Sequence, residues 1–426
     1  MSLFRKINSR YFLIVFLFTS LSGALRKWFF EDANLKNGLF AIQIIIPFVF
    51  FLNNDMQISK AFKIKALSIY LFTLIMMAIN PLNQTIYHGI IGIFIHFSFW
   101  FLTFYYVANR ESFDFKNLLN YILILALSEF ILGALQYQLP GDNFLNRYAD
   151  LEKVGGNIAG VGNSVRVTGT FSYISGYTSF LVFYNYFIWA LFRYGIKPYI
   201  FIALIAVGIY ANLISGSRGA NYSFLLFLAV LFFVEWRFIN GKTFLKLIFP
   251  LLIFFMILLA TNTDKITTAF LNAFSNFNER RIGGVESGEE VFRIFWDILS
   301  LVNFTGNYPF FGVGLGATYQ GATSFFGTSR YLVEYGYYEG ELVRIVLEGG
   351  FLLLLFRIFL AIILIKKLNF PILLKFFIFF QIIYLNQIVF NVYNSVYFAL
   401  GLIILDSAFY RTQNNLIQQS FLATKK

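Results

Sequence analysis

A chain of 426 residues that is 58% apolar and only 13% charged has more apolar surface than one soluble core can bury, since soluble domains carry roughly 25% charged residues. The absence of cysteine excludes disulfides, thiolate metal sites and a catalytic thiol together; no His/Asp/Glu spacing suggests a metal site, and nothing calls for another cofactor. A net charge of +12 would suit nucleic acid, but the placement of the basic residues argues against that partner.

Apolar windows predict helical spans near 11–25, 39–53, 66–80, 86–107, 118–138, 173–192, 199–214, 219–236, 244–261, 341–365, 372–390 and 393–409. Crossing a hydrocarbon core takes about 20 helical residues, so the expected fold is an all-α polytopic membrane protein with about twelve transmembrane helices, one integral domain over 1–426. The first span follows Arg5, Lys6 and Arg10 as a signal peptide would. No small-residue cleavage site leading to a mature soluble domain follows, and the segment reads as a retained anchor.

Lys60, Lys63, Lys65, Arg110, Lys116, Arg193, Lys197, Arg237, Lys242, Lys246, Lys366, Lys367 and Lys375 fall in alternate short loops, with Arg411, Lys425 and Lys426 in the tail. Lysine and arginine concentrate in cytoplasmic loops, so both termini are expected in the cytoplasm and the basicity is an insertion signal. By the same topology two long polar segments, 139–172 and 262–340, face outward.

Glu129 lies mid-span, where an ionisable residue is either functional or bonded to a neighbouring helix. The first outer segment carries Gly155-Gly156 and Gly160-Val-Gly162 ahead of Arg166-Val-Thr-Gly-Thr-Phe-Ser, and a short outer turn reads Ser215-Gly-Ser-Arg218-Gly. Within the large loop, Phe270–Phe277 and Glu289–Leu301 read as amphipathic helices and Pro309–Gly316 as a breaker-rich turn. Gly312-Val-Gly-Leu-Gly316 is no nucleotide fingerprint, because no strand–turn–helix context surrounds it. A loop of this length is usually functional.

Positive residues are depleted on a translocated face, so Arg166, Arg218, Arg280, Arg281, Arg293 and Arg344 need a reason to be there. A guanidinium fork matches phosphate oxygens in pairs and stays charged, as a lipid diphosphate would require. The alternative is a set of ion pairs with Glu279, Glu289, Asp297 and Glu348. At helical spacing Arg293, Trp296 and Asp297 share one face, and Glu341, Arg344 and Glu348 share another where span ten begins. A carboxylate beside an arginine can act as base or lock the arginine in place; Glu341 or Glu339 is expected to be the catalytic one and Glu348 structural. Tyr331, Tyr335, Tyr337 and Tyr338 suit either sugar stacking or the interfacial aromatic belt. His96 reads as a satisfied core imidazole and His88 as a weak candidate near an outer loop.

Ser217-Arg218-Gly219, Arg293-x-x-Trp296, Pro309 followed by Gly312-x-Gly314-x-Gly316, and Leu347-Glu348-Gly-Gly, set in this order of spans and loops, resemble the O-antigen ligase and O-antigen polymerase superfamily. Leu25-Arg-Lys-Trp28 and Arg166-Val-Thr-Gly-Thr-Phe-Ser look like its capsule or exopolysaccharide branch. The resemblance covers essentially the whole chain. It implies a C-type membrane glycosyltransferase in a bacterial inner membrane that moves glycan from undecaprenyl diphosphate onto a growing polysaccharide acceptor, without metal or nucleotide sugar. It also implies a flippase and a chain-length regulator as partners, and no nucleic acid. Carried across, Arg218 and Arg293 would hold the diphosphate, Arg293 as a catalytic residue; Arg166, Arg280, Arg281, Arg344 and Trp296, read from the residues themselves, are expected as further substrate contacts. Ligases of the superfamily have a histidine before the glutamate of span ten, where this chain has Tyr337-Tyr-Glu-Gly-Glu341. That departure tilts the expectation from ligase towards polymerase; a lipid-linked oligosaccharide flippase is the alternative from another class.

Overall fold

A backbone crossing hydrocarbon must satisfy its own N–H and C=O groups, and for apolar segments of this length the helix does so. The computed structural model describes residues 2–52, 55–149, 160–161, 164–235, 264–286, 298, 301, 310–335 and 340–423. They are overwhelmingly helical, with a two-residue strand β1 (Gly160–Val161) paired antiparallel to β2 (Ser164–Val165). The chain divides into two compact units, the first comprising 1–114, 290–368 and 375–403, the second 115–289, 369–374 and 404–426.

In the first unit α1 (Ser2–Ala24) ends in a π turn over Leu25–Phe29. Asp32 caps α2 (Ala33–Ile45) by accepting from the Leu35 N–H at 2.9 Å. Pro47, which lacks an N–H and crowds the preceding turn, coincides with the change to a 3-10 turn over Ile46–Leu52. Next come α3 (Asp55–Phe62) and α4 (Lys65–Ala78), bent 81° from one another. Thr85 caps α5 (Ile86–Asn109), which is buried almost throughout from Ile95 to Tyr106 and forms the centre of this unit. Gly89 lets α5 close on α4: a Cβ there would lie 2.3 Å from the Ala78 carbonyl oxygen.

In the second unit α6 (Leu119–Gln138), α7 (Ile174–Arg193), α8 (Pro198–Ile214) and α9 (Arg218–Glu235) pack as a bundle. Short turns join α7 to α8 and α8 to α9, so neighbours run antiparallel. Phe130 on Tyr184 (4.7 Å), Tyr184 bonding the Leu204 carbonyl (2.8 Å) and Trp189 on Phe227 (5.6 Å) fix the register. An amphipathic helix, α10 (Asp264–Glu286), buries Ala273 and exposes Leu271 and Phe274; it covers the expected Phe270–Phe277 segment.

Two short helices, α11 (Thr323–Phe326) and α12 (Arg330–Tyr335), precede α13 (Glu341–Lys367). The chain closes with α14 (Ile372–Phe380) and α15 (Val392–Ala423). Among the described residues seven helices are long and apolar enough to cross a membrane, or eight if the bent pair counts as one more, and this is a multi-pass membrane protein. The expected span 244–261 lies outside the described residues. Helix α7 is 20 residues long but carries two serines, a threonine, three tyrosines and an asparagine; 14 of its residues are buried.

Span ten departs from a single straight helix. Gly350 has φ 67° and ψ −176°, and Arg357 donates to Glu341 at 2.7 Å across 16 residues. In a straight helix those residues would stand about 24 Å apart. The chain therefore doubles back at Gly350. Glu341–Gly349 forms a buried arm, leaving Phe351–Lys367, about 25 Å of helix, as the part long enough to cross.

Candidate functional site

Breaking a helix leaves its last carbonyls without intrahelical donors. Here the glycine turn supplies them: Val313 N–H donates to the Leu347 carbonyl at 2.8 Å and Gly314 N–H to that of Glu348 at 3.0 Å. The turn reaches them because Gly312, Gly314 and Gly316 have φ of 64°, 107° and 71°, a region open to glycine at little cost. Asn80 and Asn83 donate to the carbonyls of Gly312 and Leu315, tying the turn to the α4–α5 connection.

Glu348 closes this assembly. Its Oε2 accepts from Gly316 N–H (2.9 Å) and His96 Nε2 (2.8 Å), and its Oε1 from Thr318 N–H (3.1 Å) and Thr318 Oγ1 (2.6 Å). A carboxylate has about four acceptor sites, and all are taken. Glu348 is thus a latch between the broken arm, the glycine turn and α5, with nothing left to receive a proton from a substrate.

Glu341 is held differently. Its Oε1 accepts from Arg357 Nη2 at 2.7 Å, and the Val389 N–H is shared between Oε1 (3.3 Å) and Oε2 (3.1 Å). Acceptor capacity on Oε2 remains unused among the described residues. Arg344 Nη1 donates to the carbonyls of Val389 (3.4 Å) and Phe390 (3.3 Å), and its guanidinium lies 5.3 Å from the Phe390 ring. Glu341 and Arg344 thus bracket one stretch of backbone between α14 and α15. Glu341, Arg344 and Arg357 are all about 2% exposed or less, and Arg357 Nη1 has no hydrogen-bond partner among the described residues.

Glu341 was expected on one helix face with Arg344 where span ten begins; it is buried there, and its ionic partner is Arg357. Sequence spacing missed Arg357 because it assumes a continuous helix; the only signal for it was the Gly349-Gly350 pair. Glu341 and Glu348 lie on the same arm, about 10 Å apart along it, and occupancy rather than depth distinguishes them.

In the second unit the segment carrying Arg166 is drawn into the helices. Val165, Val167, Thr168, Phe171 and Ser172 are buried. Gln136 Oε1 accepts from Gly169 N–H (2.7 Å) and Thr168 N–H (3.2 Å), while its Nε2 donates to the Gly169 carbonyl (3.1 Å). Glu129 accepts from Thr170 N–H at 3.0 Å and from the Thr170 hydroxyl. Its mid-span carboxylate therefore pins the Arg166 segment. Gly169 has φ 55°, and a Cβ there would lie 2.5 Å from Glu129 Oε2.

Arg166 is half-buried, as is Arg218, the first residue of α9. Ser217 accepts from Ala220 N–H at 3.3 Å, which places the Arg218 charge at the positive end of the α9 dipole. Because α6 and α8 both run towards this end of the bundle, Arg166 and Arg218 share it. Phe270 of α10 packs 5.1 Å from Tyr210, and Asn276 donates to Tyr137 at 2.6 Å, so α10 lies against the same end. Arg280 and Arg281 follow on α10; their side chains, and Glu339, Arg293, Trp296, Asp297, Tyr337 and Tyr338, lie outside the described residues.

Tyr331 is not an open sugar platform. It is 5% exposed, donates to the Leu82 carbonyl at 2.6 Å and packs on Val313 and Ala317 beneath the glycine turn. Among the described residues no group of three His, Asp or Glu side chains could hold a metal ion. Compared with known proteins, no protein family, no curated protein and no solved structure matches this chain.

Proposed function

We propose that this chain is a membrane glycosyltransferase of about twelve spans. It polymerises, or transfers to another acceptor, undecaprenyl-diphosphate-linked oligosaccharide at the outer face of a bacterial plasma membrane, with both termini cytoplasmic. The observation that carries the reading is the Glu341–Arg357–Arg344 cluster: a carboxylate oxygen with spare acceptor capacity beside two buried guanidinium groups. Apart from it, the reading rests on the motifs quoted above.

In this reading Glu341 takes the proton of an acceptor hydroxyl as that oxygen attacks the anomeric carbon. The bond to the diphosphate breaks, and the electron pair leaves with the lipid diphosphate. Glu339 is the alternative base. Arginines offset the charge that develops on the leaving group, each removal lowering turnover by about 10²–10³-fold where the site excludes water. A second reading, a lipid-linked oligosaccharide flippase, draws on the break at Gly350 and the second one between Leu385 and Val392, since transporters place charged residues at broken helices.

Purified protein in lipid, supplied with an undecaprenyl-diphosphate oligosaccharide, is expected to yield longer glycans. Transbilayer movement of the same lipid without elongation would favour the flippase. Arg218→Ala should stop elongation, and Arg218→Lys should restore little of it because lysine lacks the paired fork. Near-normal product length from both variants at equal protein level would reduce Arg218 to a structural role.

Topology is testable independently, because the chain has no cysteine. Ser275→Cys, exposed on α10, should react with an impermeant thiol reagent in intact cells; Lys197→Cys, exposed in the turn before α8, should react only after permeabilisation. The reverse pattern would invert the orientation.

A further inference from the structure

At the opposite end of the second unit's bundle from Arg166 and Arg218, a cavity of about 310 Å³ is lined by Lys116, Leu119, Arg193, Tyr194, Ala408, Arg411 and Thr412. Its volume falls at the lower end of the range for small-ligand sites, about 300–1,000 Å³. Three cations from separate elements converge on it: Lys116 precedes α6, Arg193 ends α7, and Arg411 belongs to α15. No carboxylate is among the lining residues.

Arg193 is fixed in place. Its Nε and Nη2 donate to Glu235 at 2.7 and 3.0 Å, Trp189 Nε1 donates to the same carboxylate at 2.6 Å, and the guanidinium lies 3.8 Å from the Phe409 ring. Lys116, Arg193 and Arg411 give the cavity a basic lining. Arg411 stands 5.5 Å over the Tyr194 ring, while buried Leu119 and Ala408 give the cavity an apolar wall. Basic charge above an apolar wall, at the junction of spans and basic loops, is what a phosphodiester attached to acyl chains would meet.

A topological signal needs basic residues only in the loops. Arg411 instead sits within α15, which continues to Ala423, and its charge faces two others across a formed cavity. We propose that this cavity binds the phosphate headgroup of an anionic phospholipid from the adjoining leaflet. The inference depends neither on which side of the membrane that leaflet lies nor on the glycosyltransferase reading.

The test uses the full chain in detergent, titrated with short-chain phosphatidylglycerol, phosphatidylcholine or soluble glycerol phosphate. Thermal unfolding and native mass spectrometry of bound lipid are the readouts. Phosphatidylglycerol is expected to bind and stabilise in preference to phosphatidylcholine, and soluble glycerol phosphate to have little effect. In Lys116→Gln/Arg411→Gln the affinity for phosphatidylglycerol should fall about thirtyfold, each basic side chain near an anionic headgroup being worth roughly fivefold.

Thr412→Trp keeps all three cations but fills the cavity, and should lose the preference too. Retention of the preference in Thr412→Trp would show a diffuse basic surface and overturn the site. Equal stabilisation by soluble glycerol phosphate, or equal binding of the two lipids by the native chain, would overturn the phospholipid assignment.

Discussion

Gly350→Ala is expected to abolish accumulation of folded protein. An alanine Cβ would lie 2.1 Å from the carbonyl carbon and oxygen of Phe310, with φ at +67°. Those are backbone atoms, and they cannot retreat without pulling Val313 and Gly314 off the carbonyls they satisfy. Gly195→Ala is the control: φ is +86° but nothing lies within 4 Å of the added carbon, so only backbone strain of about 1–2 kcal/mol applies. The Gly350 variant combines that strain with a clash and the loss of buried backbone hydrogen bonds, which places it beyond about 4–5 kcal/mol, the upper tail for single substitutions. Fluorescence-detected size exclusion and thermal melting of the two variants measure the contrast. Equal melting would show that the chain does not double back at Gly350.

The same residue shows where sequence reading succeeds and where it stops. Hydropathy located 341–365 because it sums apolar side chains over a window, and that sum is indifferent to one glycine with positive φ. The Asp32 and Thr85 caps are local contacts, made within three residues of the capping side chain, but neither was singled out in the sequence. Glu348 was singled out in the sequence, but its partners Gly316 and His96 lie 32 and 252 residues away, and no helical spacing could connect them. Arg357 was missed for a related reason: its pairing with Glu341 exists only after the chain folds back. Glu129, by contrast, stood out as an ionisable residue mid-span, either functional or bonded to a neighbouring helix, whereas Gln136 was not singled out. What they bond, the backbone of the Arg166 segment, was not legible, because that segment's apolar residues were read as part of an exposed loop.

Glu348→Gln and Glu341→Gln should both destabilise the protein, and only activity per folded molecule will separate them. In Glu348→Gln an amide NH2 replaces one of two oxygens that each accept two hydrogen bonds, setting donor against donor in a buried site, at a cost of about 1–3 kcal/mol per group left unsatisfied. Glu341→Gln leaves the Arg357 guanidinium buried without its counter-charge, a change that typically costs about 3–5 kcal/mol. Adding Arg357→Gln to Glu341→Gln removes the stranded charge, so the double variant should melt higher than Glu341→Gln alone, the signature of a coupled pair. If Glu341 is the base, that recovered protein still makes no longer glycan, because no carboxylate remains to take the proton. The folded fraction of Glu348→Gln, in which Glu341 is intact, should elongate at close to the native rate per molecule. Native turnover by the folded double variant would end the assignment of Glu341 and leave Glu339, or the departing diphosphate itself, as the proton acceptor.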